Sequence, residues 1–166
     1  MKTIGLIVNP VAGMGGSVGL KGTDGGLYEK ALNLGADPVT PDRTAAFLAH
    51  IQRTAEVSFL AAPDEMGARY LDAADLSSDT VGEIGSVTSA EDTKTIAVQM
   101  LERGAELLVF VGGDGTARDI VDAVDSEIPV VAVPAGVKVY SSVFALNPRA
   151  AAEMIDAFVE GASVAE

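Results

Sequence analysis

One stretch of the sequence decides the fold: Leu107-Leu108-Val109-Phe110-Val111-Gly112-Gly113-Asp114-Gly115-Thr116. It opens with an unbroken apolar run, which is typical of a strand buried on both faces of a parallel sheet. Glycines and an aspartate then end the strand, and a helical pattern continues to about Val124. We therefore predict a strand, a tight turn and a helix in direct succession.

Strand and helix signals alternate on both sides of this stretch. Apolar runs predict strands at residues 3–8, 57–62, 80–84, 107–111 and 129–133, of which 80–84 is the weakest. Helical patterns cover residues 27–34, 40–54, 64–74, 89–103, the segment up to 124, and 149–159. Ser89 and Asp92 resemble a capping box, and Gly104 ends the helix that they begin. The alternation predicts an α/β fold with a three-layer, Rossmann-like parallel sheet flanked by helices, as a single domain over residues 1–166.

The composition is that of a soluble globular protein. Hydrophobic residues make up 48% of the chain, but no stretch approaches the roughly 20 apolar residues of a membrane span. The apolar run near the N-terminus is too short for a signal peptide, so we expect a cytoplasmic protein. Without cysteine, disulfides and thiolate metal sites are excluded. The sole histidine, His50, is expected on a helix surface or hydrogen-bonded within the fold.

The charge balance narrows the choice of partners. Asp and Glu number 24 against 11 Lys and Arg, which gives a formal net charge of −13. The field of such a chain repels nucleic acids and anionic membranes, so we expect neither as a partner. A hydrated acidic surface with few lysines also indicates a halophilic source, with an ordinary acidic mesophilic protein as the alternative. The sequence leaves open whether the chain forms a homo-oligomer.

Glycine-rich loops follow three of the predicted strands, after Val8, Val111 and Val133. Ligands of parallel α/β sheets bind beyond the carboxyl ends of the strands. We therefore expect the three loops to surround one shared site.

The central loop carries the sharpest chemical signal. Gly112, Gly113 and Gly115 allow close approach of the backbone, and the N-terminus of the following helix favours an anion such as phosphate. Asp114 lies in the middle of this turn, where it could organise Mg²⁺ on the phosphates or accept a proton from an attacking hydroxyl. The alternative is a plain structural turn in which Asp114 caps the helix.

The two flanking loops offer further polar groups. Residues 9–26 match neither the dinucleotide fingerprint nor a Walker A loop, because Val18 takes the third glycine position and no glycine precedes Lys21. The candidate nucleotide-binding residues of this loop are Asn9, Gly13, Gly15, Gly16 and Lys21, with Thr23 and Asp24 at its edge. In the third loop they are Pro134, Ala135 and Gly136, with Lys138 and Ser141 as further ligands. The alternatives are that these segments are solvated loops or structural turns. Asp92 is expected to cap a helix, and a role as a ligand is less favoured.

These loops carry a resemblance to a kinase superfamily. Val111–Thr116 resembles the GGDGT signature shared by NAD kinases, diacylglycerol and sphingosine kinases and, more loosely, 6-phosphofructokinases. Residues 9–25 resemble the opening of the ATP-NAD kinase-like proteins grouped with the acetoin-catabolism X (AcoX) proteins, and residues 134–141 are similar to a third stretch of that group. The three matches occur in the order of the family and span almost the whole chain.

The resemblance implies the N-terminal domain fold of NAD kinases and an ATP-dependent phosphoryl transfer with Mg²⁺. It implies NAD as acceptor, hence NADP formation, with another nucleoside triphosphate as an alternative donor. Asp114 corresponds to the signature aspartate, a base or nucleotide-orienting group. Gly112, Gly113, Gly115 and Thr116 would bind phosphate, and Asn9 with its loop would face the donor nucleotide.

The sequence departs from the family after the signature. NAD kinases continue into a β-rich domain with an Asn-Glu or Asn-Asp motif, but the only asparagine after Thr116 is Asn147, followed by Pro148. We therefore expect the C-terminal domain to be absent from residues 1–166 and catalysis by them alone to be incomplete. A non-catalytic nucleotide- or NAD-sensing module is the main alternative. A lipid kinase of the diacylglycerol type is less favoured, because no basic or amphipathic membrane-docking patch is evident.

Overall fold

The sheet of the computed structural model contains five strands, all parallel to their neighbours, in the order β3-β2-β1-β4-β5. The structure describes residues 1–12, 39–136 and 144–162. The predicted α/β fold with a parallel sheet is confirmed. The strands are β1 Lys2–Val8, β2 Val57–Ala61, β3 Ser78–Thr80, β4 Leu107–Gly112 and β5 Val130–Pro134.

Helices cover both faces of this sheet and complete the predicted three layers. One face is covered by the first and last of the helices described, which pack against each other, and the opposite face by the third and fourth. The helices are α1 Thr40–His50, α2 Ala68–Ala73, α3 Ala90–Glu102, α4 Asp114–Val124 and α5 Pro148–Val159. Single 3₁₀ turns cover Thr54–Glu56 and Asp64–Met66.

The central strands are apolar throughout because both of their faces are buried. In β4, Val109 and Val111 contact the layer of α1 and α5, whereas Leu108 and Phe110 contact the layer of α3 and α4. Successive side chains of a strand point to opposite faces, so one unbroken apolar run supplies two cores. This arrangement confirms the interpretation of residues 107–111 as a strand buried on both faces.

The structure confirms the helix cap that the sequence predicted. The Ser89 hydroxyl accepts a hydrogen bond from the Asp92 backbone N–H at 3.3 Å, and the Asp92 carboxylate accepts one from the Ser89 N–H at 2.9 Å. The predicted capping box therefore begins α3, and the helix ends just before Gly104. His50 is exposed, and its Nδ1 lies 2.7 Å from the Ala46 carbonyl oxygen, as expected for a satisfied surface residue.

The predicted strand at 80–84 is wrong in its position. Strand β3 is Ser78–Thr80, paired with residues 59–61 of β2. Gly82 has a φ of +84°, and a Cβ there would lie 2.7 Å from Ile96, so the chain turns away at this point. The pairing with β2, a tertiary contact, selects polar residues that have little strand signal of their own.

Two predicted helices end or break earlier than their sequence patterns indicate. The helix predicted at 40–54 ends at His50, because Ile51 is extended and the next amides bind α5. The helix predicted at 64–74 is divided at Gly67 into a 3₁₀ turn and α2. The helix predicted at 27–34 lies outside the described residues. Among the helices described, none has the length and apolarity needed to cross a membrane.

A carboxylate of α5 holds the end of α1. Asp156 accepts hydrogen bonds from the Gln52 N–H, at 3.1 Å to each oxygen, and from the Arg53 N–H at 3.0 Å. The Arg53 guanidinium also pairs with Glu160 at 2.6 Å. These contacts connect α1, α5 and the chain entering β2, so they fix the helix layer on one face of the sheet.

Replacing Asp156 with alanine is expected to destabilise the fold. The Asp156→Ala variant leaves two backbone N–H groups without their charged acceptor, so the free energy of unfolding should fall by about 1–3 kcal/mol. Chemical denaturation measures this change. The matched control is Glu153→Ala on the same helix, where loss of an exposed ion pair with Arg149 should cost less than about 0.5 kcal/mol. Equal losses in the two variants would contradict the role of Asp156.

A second carboxylate makes the stability depend on pH. Glu106 accepts a hydrogen bond from the Thr3 backbone N–H at 2.8 Å and pairs with Lys2 at 3.3 Å. The Thr3 N–H is the main cause that lowers the pKa of Glu106 below its ordinary value of 4.5. A carboxyl whose pKa is lowered by folding stabilises the fold above its unfolded pKa, and this contribution is lost as the pH falls through the folded pKa.

The Glu106→Gln variant isolates the charge because it keeps the shape and one acceptor. We expect it to unfold more easily than the wild type at pH 7. The difference should shrink as the pH falls below 4.5 and vanish once the wild-type carboxyl is protonated. Denaturant titrations between pH 7 and pH 3 measure it. A difference that stays constant over this range would show that the charge makes no contribution.

Candidate functional site

The three glycine-rich loops begin side by side at one edge of the sheet. The strands that lead into them are neighbours, with Val8 in register with Val111 and Gly112 in register with Pro134. After β1, Ala12 packs into the core on one face of the sheet, whereas α4, which follows β4, covers the other face. Where neighbouring connections diverge in this way, an open α/β sheet has the crevice in which its ligands bind.

Asn9 joins the two loops across this crevice. Its backbone N–H donates to the Val111 carbonyl oxygen at 2.9 Å. Its side-chain oxygen accepts from the Val11 N–H at 3.1 Å, and its side-chain nitrogen donates to the Thr116 hydroxyl at 3.1 Å. The end of β1 is therefore fastened both to the end of β4 and to the first turn of α4.

Gly112 is the point at which all three loops meet. A Cβ at this position would lie 2.6 Å from the Thr116 hydroxyl oxygen, so only glycine lets the Thr116 side chain lie against the strand end. Thr116 itself is 4% exposed. The Gly112 carbonyl accepts a hydrogen bond from the Ala135 N–H at 3.0 Å, which brings in the loop after β5. The predicted convergence of Asn9, Gly112, Thr116 and Ala135 is thus present in the structure.

Gly113 is a glycine that the described part of the fold does not require. Its φ of −115° and ψ of −166° suit any residue, and a Cβ there would meet no heavy atom within 4 Å among the residues described. It occupies the N-cap position of α4, so Asp114 is the first helical residue. The alternative in which Asp114 caps the helix is therefore wrong. The space beside Gly113 is open and adjoins a helix N-terminus.

The first turn of α4 presents backbone N–H groups at this space. The first backbone hydrogen bond into the helix runs from the Ala117 N–H to the Gly113 carbonyl at 3.0 Å, so the amides of Gly115 and Thr116 precede it. Gly113, Asp114 and Gly115 are partly exposed. N–H groups that precede the first helical hydrogen bond, together with the positive end of the helix dipole, favour an anion at such a position.

The flanking loops are described only in part. Pro134 ends β5, Ala135 is buried in the core, and Gly136 is partly exposed beside them. Asp92 is engaged in the capping box of α3, which is the role favoured for it. The remaining candidates lie outside the described residues, and their roles stay predictions: Gly13, Gly15, Gly16, Lys21, Thr23, Asp24, Lys138 and Ser141.

One contact near the site was not predicted from the sequence. The Thr40 hydroxyl, fully buried at the start of α1, donates to the Pro10 carbonyl at 3.1 Å. It joins the start of α1 to the residues that directly follow β1. The only sequence signal was a threonine directly before Pro41, which had indicated no more than a helix start.

The described residues offer little for a metal ion or an enclosed ligand on their own. Among them, no group of three His, Cys, Asp or Glu side chains could hold a metal ion. A cleft of about 490 Å³ opens between α1 and α5, and Arg43, His50 and Arg149 are among the residues that line it. Its described lining residues include none of the predicted site residues, so this cleft is distinct from the crevice at the strand ends.

Comparison with known proteins identifies a family. The family model described as the ATP-NAD kinase N-terminal domain matches residues 4–163, a span from β1 to just beyond α5 that contains all three loops. No curated protein was found to match the chain.

The two adjacent glycines of the central turn should respond differently to substitution. Gly112→Ala places a methyl group against the buried Thr116 side chain, so it should cost about 1–3 kcal/mol of stability. Gly113→Ser enters open space at a position where serine is a good N-cap, so the stability should change by less than about 0.5 kcal/mol. Denaturant titrations of both variants test this contrast. Similar losses in both would mean that the steric distinction between the two positions is wrong.

Proposed function

We propose a function from one premise: the chain belongs to the ATP-NAD kinase N-terminal domain family. On this premise, the crevice between β1 and β4 binds the phosphates of ATP, and the protein transfers the terminal phosphoryl group to NAD to form NADP. The observation that carries the proposal is the open space at Gly113, beside the amides of Gly115 and Thr116. A helix N-terminus that the described residues leave uncovered has room for a phosphate.

In the proposed reaction the protein supplies position and charge. The acceptor hydroxyl gives its proton to the carboxylate of Asp114, its oxygen forms a bond to the γ-phosphorus, and the bond from that phosphorus to the bridging oxygen breaks to release ADP. Asp114 is suited to this role because it is partly exposed at the first position of α4, directly beside the phosphate-binding amides.

Mg²⁺ bound to the phosphates would neutralise their charge, and of the described turn residues Asp114 carries the carboxylate to orient it. Because the described residues hold no three-ligand cluster, phosphate oxygens and water would supply most of its ligands. Mg²⁺ commonly binds enzymes in this way, through one or two carboxylates and the phosphates of the substrate.

The rest of the proposed site lies in the flanking loops. The backbone around Gly13, Gly15, Gly16 and Gly136 would approach the phosphates, and the side chains of Lys21, Lys138 and Ser141 would bind them. In a chain of net charge −13, local lysines are the groups that offset repulsion of an anionic ligand. The cytoplasmic location, the halophilic origin and the AcoX subgroup stay predictions from the sequence.

Nucleotide binding tests the proposal directly. ATP with Mg²⁺ should raise the melting temperature of the wild type, because a ligand that binds only the folded state stabilises it. Gly113→Ser should weaken ATP binding at least about tenfold, because its side chain fills the proposed phosphate position. Asp114→Ala should also weaken the stabilisation by ATP. Titration calorimetry and thermal melts measure these effects.

The matched control is Gly85→Ser, in an exposed loop where the nearest atom to a Cβ is 4.0 Å away. This variant should bind ATP like the wild type. If millimolar ATP does not raise the melting temperature of the wild type, the proposal is wrong. ATP binding without NADP formation by the purified full-length gene product would instead favour the non-catalytic sensing module.

A further inference from the structure

The side chain of Asn9 is already engaged within the protein at both of its polar ends. Its oxygen accepts from Val11 and its nitrogen donates to Thr116, while its backbone N–H donates to Val111. An amide used in this way holds two chain segments together. A direct contact with a nucleotide would compete with these bonds.

The Thr116 side chain faces away from the open space. It is 4% exposed, and its hydroxyl oxygen and its methyl carbon lie 2.6 Å and 3.0 Å from the position of a Cβ on Gly112. Rotation of the hydroxyl towards a ligand would break its bond with Asn9. The backbone N–H of the same residue, by contrast, lies in the first turn of α4 and precedes the first helical hydrogen bond.

We infer that Asn9 and Thr116 are positioning residues: their linked side chains set the β4–α4 turn so that its amides meet the phosphates, and neither side chain contacts the nucleotide. This inference rests on the proposed function, since it concerns the same site. The physical reason is that Gly112 forms no side-chain contacts of its own, so Thr116 and Asn9 supply the packing that fixes the turn.

The bond between Asn9 and Thr116 does not involve the ligand, so its loss can lower the affinity only by displacing the groups that bind the phosphates. Misplacement of binding groups by about 1 Å can cost up to about 100-fold in an enzyme. Removal of the Asn9–Thr116 bond releases the turn without removing any group that binds phosphate. We therefore expect affinity for ATP with Mg²⁺ to fall about tenfold in each single variant.

A double-mutant cycle on ATP affinity tests the inference, measured well below the melting temperature of every variant. Asn9→Ala and Thr116→Val should each weaken binding about tenfold, and the double variant should be no weaker than the poorer single variant. Thr116→Ser keeps the hydroxyl and should bind like the wild type. Thr44→Val is the matched control and should bind like the wild type, because Thr44 is a fully buried threonine whose hydroxyl donates to the Thr40 carbonyl, at 2.7 Å.

Several outcomes would overturn the inference. Losses that multiply in the double variant would mean that the two side chains contact the nucleotide independently. Unchanged affinity in Asn9→Ala would mean that the turn does not need the bond. A loss in Thr116→Ser as large as in Thr116→Val would mean that the hydroxyl does not restore binding, so its bond with Asn9 would not be what sets the turn.

A measurement without nucleotide separates this inference from the proposed function. The Ala117 and Ala135 N–H groups donate to Gly113 and Gly112, so their hydrogen exchange reports how firmly the turn is held. Both should exchange at least several-fold faster in Asn9→Ala than in the wild type. If wild-type protein fails to bind ATP, the proposed function fails, while unchanged exchange rates would overturn the positioning role by themselves.

Discussion

The parallel pairing of β1 with β4 is the contact on which the rest of the structure depends. It runs from Ile4 opposite Leu107 to Val8 opposite Val111, with these side chains almost completely buried. Because both strands are covered on both faces, their connections have to leave at the strand ends. In the described residues, the start of the chain after β1 packs on one face of the sheet and the helix after β4 on the other, and ligands of open α/β sheets bind in the crevice between such connections. The position of the candidate site therefore follows from the strand topology more than from individual side chains.

Adjacent residues in the central turn serve different purposes. Gly112 is needed by the interior, because the Thr116 side chain occupies the space of a Cβ. Gly113 is compatible with a side chain in the described part of the fold, where it is partly exposed and no heavy atom lies close to the position of a Cβ. The turn thus combines a rigid inner half with an accessible outer half. Binding by backbone amides benefits from this combination, since the amides are held in place before a ligand arrives.

The sequence predicted those features whose signals are local. The buried strand 107–111, the capping box of α3 and the loops at one sheet edge all follow from neighbouring residues. The position of β3 does not, because its polar residues become a strand only by pairing with β2. The early end of α1 depends on Asp156, more than a hundred residues away along the chain. The kinase chemistry was predicted from the resemblance to a family, because the residue spacing alone is also compatible with a purely structural turn.

The hydrogen bond between Thr40 and Pro10 also bears on how this protein can diversify. It joins described residues on the two sides of segment 13–38. The entropy of closing a loop rises only slowly with length, by roughly 0.6 kcal/mol for each doubling. A change in the length of the segment would therefore add little to the entropic cost of bringing Pro10 and Thr40 together. As far as chain closure is concerned, evolution is free to lengthen or shorten this part of the protein.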